Sequence, residues 1–86
     1  MKAEGALRLA VPALRAAGVE DGARDGRLLM AYAMGIPADR LTLHLADELT
    51  EMQAKVFEAA LAARVARQPV AQIIGQRMFW GRSFRV

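Results

Sequence analysis

The chain has 86 residues, the size of one small domain near the lower limit for a fold with a single hydrophobic core. It contains no cysteine, which excludes disulfides, thiolate metal sites and cysteine nucleophiles, and no uncharged apolar run of about 18 residues predicts a membrane span. The net charge of +3 is unevenly distributed: residues 1–58 have seven basic and nine acidic side chains, whereas residues 59–86 have five arginines and no acid.

The first two predicted elements are helices. Apolar residues at helical spacing predict a first helix over residues 3–17, with Gly18 as its C-terminal stop. Pro12 lies inside this segment and removes one backbone hydrogen bond, so we expect a kink or a helix that restarts there. A second helix is predicted from Asp21, a suitable N-cap, to Met34.

Two further helices follow. A short third helix is predicted over residues 37–45, because proline is well placed at a first helical position. The fourth begins with Thr50 and Gln53, whose spacing is that of a capping box, and ends before Pro69. Behind this cap comes an apolar stripe that we expect to face the core, formed by Met52, Val56, Phe57, Ala60 and Leu61.

The pattern changes after Pro69. Residues 70–74 suit either a last helical turn or a short strand, whereas residues 77–80 and 83–86, on either side of Gly81-Arg82, are typical of the strands of a two-residue β-hairpin. The predicted fold is therefore all-α, a small bundle of four to five helices over residues 1–68, followed by a linker with a β-hairpin over residues 69–86.

No catalytic constellation is recognisable. His44 is the only histidine and Ser83 the only serine, while the adjacent pair Asp47 and Glu48 diverges rather than converging on a substrate. The glycines form neither a dinucleotide fingerprint nor a P-loop. We therefore expect no metal site, no bound cofactor and no enzymatic activity of this chain alone. The N-terminal residues do not form a secretory signal, and a chain without cysteine suits the reducing cytosol, so we expect a cytoplasmic protein.

The C-terminal stretch RQPVAQIIGQRMFWGRSFRV resembles the segment that precedes the catalytic domain in the release-factor glutamine methyltransferases, the HemK/PrmC family. The residues that match this family pattern in register are Pro69, Ala71, Gly75, Arg77, Phe79, Trp80, Phe84 and Val86. Upstream, the stretch GVEDGARDGRLLMAYAMGIPADRLTLH looks like the second and third helices of the family. The resemblance covers essentially the whole chain.

The resemblance implies that the parent protein is an enzyme. It would transfer a methyl group from S-adenosylmethionine to the glutamine of the Gly-Gly-Gln motif in peptide-chain release factors. The cofactor site and the Asn-Pro-Pro-Tyr motif of the family belong to a C-terminal domain, and this chain contains no asparagine. The chain would then be a non-catalytic domain that recognises the release factor. The residues that would contact its own catalytic domain or a partner are Pro69, Arg77, Phe79, Trp80 and Phe84.

Two alternatives stay open. The basic C-terminal end points to an acidic partner, so the chain is alternatively a small helical domain that binds nucleic acid or the ribosome, with Trp80 as a stacking ring. Its phosphate contacts would come from Arg64, Arg67, Arg77, Arg82 and Arg85. Direct nucleic-acid binding is not what the family resemblance implies. A helical scaffold domain attached to no enzyme is the third hypothesis.

Overall fold

The structure, a computed structural model, describes residues 1–75, and these residues form five helical elements without a sheet. Four are α-helices and one is a 3-10 helix. Their bounds in chain order are α1 Ala3–Ala16, α2 Gly22–Met34, the 3-10 helix Ala38–His44, α3 Glu51–Val65 and α4 Val70–Gly75. The predicted helical fold is confirmed over this range, whereas the β-hairpin predicted for residues 77–86 lies outside the described residues.

The predicted caps of α2 and α3 are present. The Asp21 side chain accepts a hydrogen bond from the Arg24 backbone N–H at 3.2 Å, and α2 ends at Gly35 in the left-handed conformation. At the start of α3, the Gln53 N–H donates to the Thr50 hydroxyl at 3.0 Å, and the Thr50 N–H donates to the Gln53 side chain at 2.9 Å. Both arms of the capping box are therefore made.

α1 runs through Pro12 as one element and does not restart there. The proline deprives the Arg8 carbonyl of its helical partner, but Arg8 and Pro12 both lie on the exposed side of the helix. Water is available to that carbonyl, so the helix continues.

The N-terminus of α1 is held by a distant segment rather than by a side-chain cap. The backbone N–H groups of Ala3 and Glu4 donate to the carbonyls of Asp47 and Leu45 at 3.0 and 2.9 Å. The Leu49 N–H in turn donates to the Met1 carbonyl at 3.0 Å. The segment after the 3-10 helix thus satisfies donors that an α-helix leaves unpaired at its start.

The core is built around α2, which packs against all four other helical elements. α1 crosses α2 closely at Gly22, where an added Cβ would lie 3.2 Å from the Val11 carbonyl oxygen. The largest fully buried side chains are Leu14, Leu29, Met30 and Leu41.

The apolar stripe predicted for α3 is correct only in part. Phe57 and Ala60 are buried, but Met52 is 67% exposed, so its assignment to the core was wrong. Met52 and Phe57 are five positions apart, which corresponds to one turn plus about 140° and places the two side chains on different sides of the helix.

The open alternative for residues 70–74 is resolved as helix, because these residues form most of α4. The Pro69 carbonyl accepts hydrogen bonds from the N–H groups of Gln72 and Ile73, both at 3.1 Å. Ile73 is buried in the core cluster that includes Phe57 and Met30. α4 therefore packs on the bundle.

Candidate partner-binding surface

Of the five residues predicted to contact a partner or a second domain, the structure places one. Pro69 is exposed at the turn that leads into α4. The others, Arg77, Phe79, Trp80 and Phe84, lie outside the described residues. The bundle surface around α4 is therefore the part of the predicted junction that the structure describes.

A groove of about 410 Å³, here called the α4 groove, runs along this surface. α2, the segment that follows it and the 3-10 helix form most of its wall, and Ile74 of α4 completes it. The side chains that line it include Leu28, Tyr32, Ile36, Pro37 and Ile74, and none of its described lining residues is charged. Such a concave apolar surface suits an apolar side chain or ring.

A second groove, of about 220 Å³, lies between α1 and α3 and is here called the α1/α3 groove. Leu9 and Met1 line it and are 66% and 64% exposed, while Phe57 forms part of its buried floor. Glu58 is the one lining residue with a charged side chain among those described. Large apolar side chains exposed together beside a groove are typical of a protein contact.

A third groove, of about 310 Å³, lies between α1 and α2 and has a charged rim of Glu4, Arg8 and Arg27. The guanidinium of Arg27 is held by a hydrogen bond to the Thr42 hydroxyl at 3.0 Å. The opposite charges on this rim make the groove less selective for an anionic partner than a purely basic surface.

Arg64 forms an ion pair with Asp25 that the sequence analysis did not identify. Arg64 Nε donates to Asp25 Oδ2 at 2.9 Å, and Nη1 donates to the Gln68 carbonyl at 3.4 Å. The two side chains are only 20% and 11% exposed. One signal was available in the sequence, since Asp25 lies on the row of α2 that also contains Gly22 and Leu29 and faces the core.

This ion pair weakens the nucleic-acid hypothesis. The guanidinium of Arg64, one of the five arginines of the basic end, is directed to a carboxylate of its own chain. Residues 1–75 as a whole contain nine basic and nine acidic side chains. The described surface therefore lacks the net positive charge with which proteins neutralise phosphates.

The described residues contain little that suits catalysis or metal binding. Nδ1 of His44 lies 2.8 Å from Oδ2 of Asp47, but both side chains are exposed and only three residues apart. Within residues 1–75 no three His, Asp or Glu side chains are grouped so that they would hold a metal ion. Over the same range, no helix has the length and apolar character needed to cross a bilayer.

Comparisons with known proteins agree on one family. The family model described as the PrmC N-terminal domain matches residues 5–75. The chain is 63% identical over all 86 residues to a release factor glutamine methyltransferase from Cereibacter sphaeroides, and spans 31% of that protein. It is 37% identical over 83 residues, 96% of the chain, to the protein of the same name from Bradyrhizobium diazoefficiens, and spans 28% of it.

A bifunctional methyltransferase from Rickettsia felis is 32% identical over 69 residues, which are 80% of this chain and 13% of that relative. A search of the solved structures gives no match. The chain thus spans less than a third of each of these relatives. Because the family model matches far more than half of the chain, the chain belongs to the PrmC N-terminal domain family.

Proposed function

We propose that this chain is the non-catalytic N-terminal domain with which a methyltransferase binds peptide-chain release factors. The parent enzyme transfers a methyl group from S-adenosylmethionine to the glutamine of the Gly-Gly-Gln motif, and a C-terminal domain holds the cofactor and performs the chemistry in the cytoplasm. The observation that supports this function is the 63% identity, over the whole chain, to a release factor glutamine methyltransferase.

The domain organisation follows the same proposal. Residues 1–68 form the recognition bundle, and residues 69–86 link it to the catalytic domain, with α4 as the helical first part of the linker. The residues of this linker that contact the catalytic domain or a partner are Pro69, Arg77, Phe79, Trp80 and Phe84. Burial of Ile73 supports the arrangement, because it fixes the start of the linker against the bundle.

Within this proposal, the release factor contacts the α1/α3 groove. Leu9 is one of the most exposed large apolar residues of the described chain, and it lies beside a groove whose lining is almost entirely apolar. An apolar anchor that enters such a groove is the usual centre of a protein interface. Among the described residues, the lining of this groove has none in common with that of the α4 groove, so the two grooves are separate surfaces.

Titration of the isotopically labelled 86-residue chain with a release factor, followed by NMR, tests this function. The backbone signals of Leu9 and Leu61 are expected to shift or broaden. Leu9→Glu is expected to weaken binding by about 10-fold or more, because burial of one leucine contributes about 1.5–3 kcal/mol.

The matched control is Leu43→Glu. Leu43 is 73% exposed on the 3-10 helix and lines none of the three grooves described above. This variant is expected to bind like the unmodified chain. Absence of any spectral change with the unmodified chain overturns the recognition function, and equal loss in the two variants overturns the choice of groove.

A further inference from the structure

We propose that the α4 groove is the docking site of the chain's own aromatic segment, residues 76–86, with the indole of Trp80 seated in the groove. The inference rests on the proposed linker function of residues 69–86 and deepens it. It identifies the surface of the bundle against which the linker is held.

The first argument is the position of α4. Ile73 is buried in the core, and the next residue, Ile74, lines the α4 groove. Gly75 follows and is the last residue that the structure describes. The last described turn of α4 therefore lies at the rim of this groove, and the buried side chain of Ile73 holds it there.

The second argument is distance. Trp80 is five residues beyond Gly75, a span of at most about 18 Å even for a fully extended chain. A short tether of this kind gives the ring an effective concentration in the millimolar range at the groove. A second molecule does not reach such a concentration in dilute solution, so the chain's own segment has the advantage over an equivalent segment of another copy.

The third argument is chemical complementarity. Residues 76–86 contain three of the five aromatic residues of the chain, together with three arginines and no acid. The described lining of the α4 groove contains no carboxylate that would attract the arginines. Its aliphatic and aromatic side chains suit a ring, and Trp80 is the largest ring available to fill a volume of about 410 Å³.

The sequence provides two natural optical probes for this contact. Trp80 is the only tryptophan, and Tyr32, which lines the groove, is the only tyrosine. Fluorescence of the intact 86-residue chain therefore reports on one indole and one phenol. Docking is expected to shift the Trp80 emission to shorter wavelength, and to let Tyr32 transfer excitation energy to Trp80.

Quenching by iodide gives the first decisive measurement. Because a docked ring exposes less than half of its surface, the quenching constant is expected to be at least about twofold lower than in the same chain unfolded by urea. Equal quenching constants in the folded and the unfolded chain overturn the proposal. So does a signal that is lost on serial dilution, which assigns the contact to a second copy.

Variants then locate the contact. Ile74→Glu is expected to raise the quenching constant of Trp80 to that of the unfolded chain and to lower the efficiency of energy transfer from Tyr32. If circular dichroism shows that Ile74→Glu disturbs the helix, Leu28→Glu replaces it as the test variant. Leu28 lies on α2 rather than α4, and its substitution is expected to change the quenching and the energy transfer in the same way. Leu9→Glu, in the α1/α3 groove, is the control and is expected to leave Trp80 unchanged.

If folded Ile74→Glu and Leu28→Glu both keep the protection of Trp80, the α4 groove is not its site. This outcome is distinct from failure of the proposed function. Release-factor binding is tested by Leu9→Glu in the α1/α3 groove, whereas docking is tested by the protection of Trp80. Either proposal can therefore fail while the other holds.

Discussion

The ion pair between Asp25 and Arg64 joins α2 to the C-terminal end of α3 and gives the sharpest prediction on stability. In Arg64→Met the methionine retains much of the apolar volume, but the carboxylate of Asp25, 11% exposed, loses its partner. Loss of the charge-assisted hydrogen bond and burial of the unpaired carboxylate together cost about 2–3 kcal/mol at this partly buried site. We expect the free energy of unfolding to fall by that amount.

Urea unfolding followed by circular dichroism measures this change. With a slope of about 1 kcal/mol per molar urea for so small a domain, the midpoint is expected to fall by about 2–3 M. Lys55→Met is the control, because its ion pair with Glu51 spans 3.9 Å and both side chains are largely exposed. Lys55→Met is expected to lower the free energy of unfolding by less than about 0.5 kcal/mol.

A double variant tests the physical reason for the loss. Asp25→Leu combined with Arg64→Met removes both charges, so no unpaired carboxylate is left in the interior. The double variant is expected to be more stable than Arg64→Met alone. The reasoning is refuted if Arg64→Met lowers the free energy of unfolding by no more than Lys55→Met does. It is also refuted if the loss in the double variant equals the sum of the losses in Arg64→Met and Asp25→Leu measured separately.

Two further predictions concern α3 and use the same urea titration. Phe57→Ala is expected to cost about 3–5 kcal/mol, because the ring is only 4% exposed, and a loss below about 1 kcal/mol would show that the core tolerates its removal. Thr50→Ala removes the hydroxyl that caps α3 and is expected to cost about 1 kcal/mol. Thr50→Ser retains that hydroxyl and should lose clearly less; similar losses in the two variants would assign the effect to the methyl group instead of the cap.

Much of the helical fold was predictable because its signals are local. Asp21 and Thr50 cap α2 and α3 through residues that follow within three positions, so sequence spacing alone identifies them. Gly35 ends α2 in the left-handed conformation that glycine adopts easily. Neighbouring residues determine each of these features.

The features that were missed depend on residues distant in sequence. The partner of Asp25 is 39 positions away in Arg64, and no short pattern connects the two. Residues 70–74 had no local signal that favoured helix over strand, and their helix is packed against α2 and α3. Met52 was misassigned because it is apolar like the residues of the stripe, but its position, one turn plus about 140° before Phe57, places it on another side of the helix.

The candidate site was predictable to a smaller extent. The family resemblance led to the junction, and Pro69 is where the described part of that junction begins. The grooves were not foreseen, because each is formed by side chains from elements that are separate in the sequence. Leu9 and Leu43 are both leucines on helices, and only the packing of the helices shows which of them borders a groove.

The attachment of the first residues to the segment after the 3-10 helix has a consequence for how the domain opens. The amides of Ala3, Glu4 and Leu49 are engaged in one set of hydrogen bonds that closes a loop of more than forty residues. Their exchange with deuterium is therefore expected to follow a single cooperative opening and to give one common free energy of opening. The start of α1 is thus completed only when a segment beyond the middle of the chain has reached its final position.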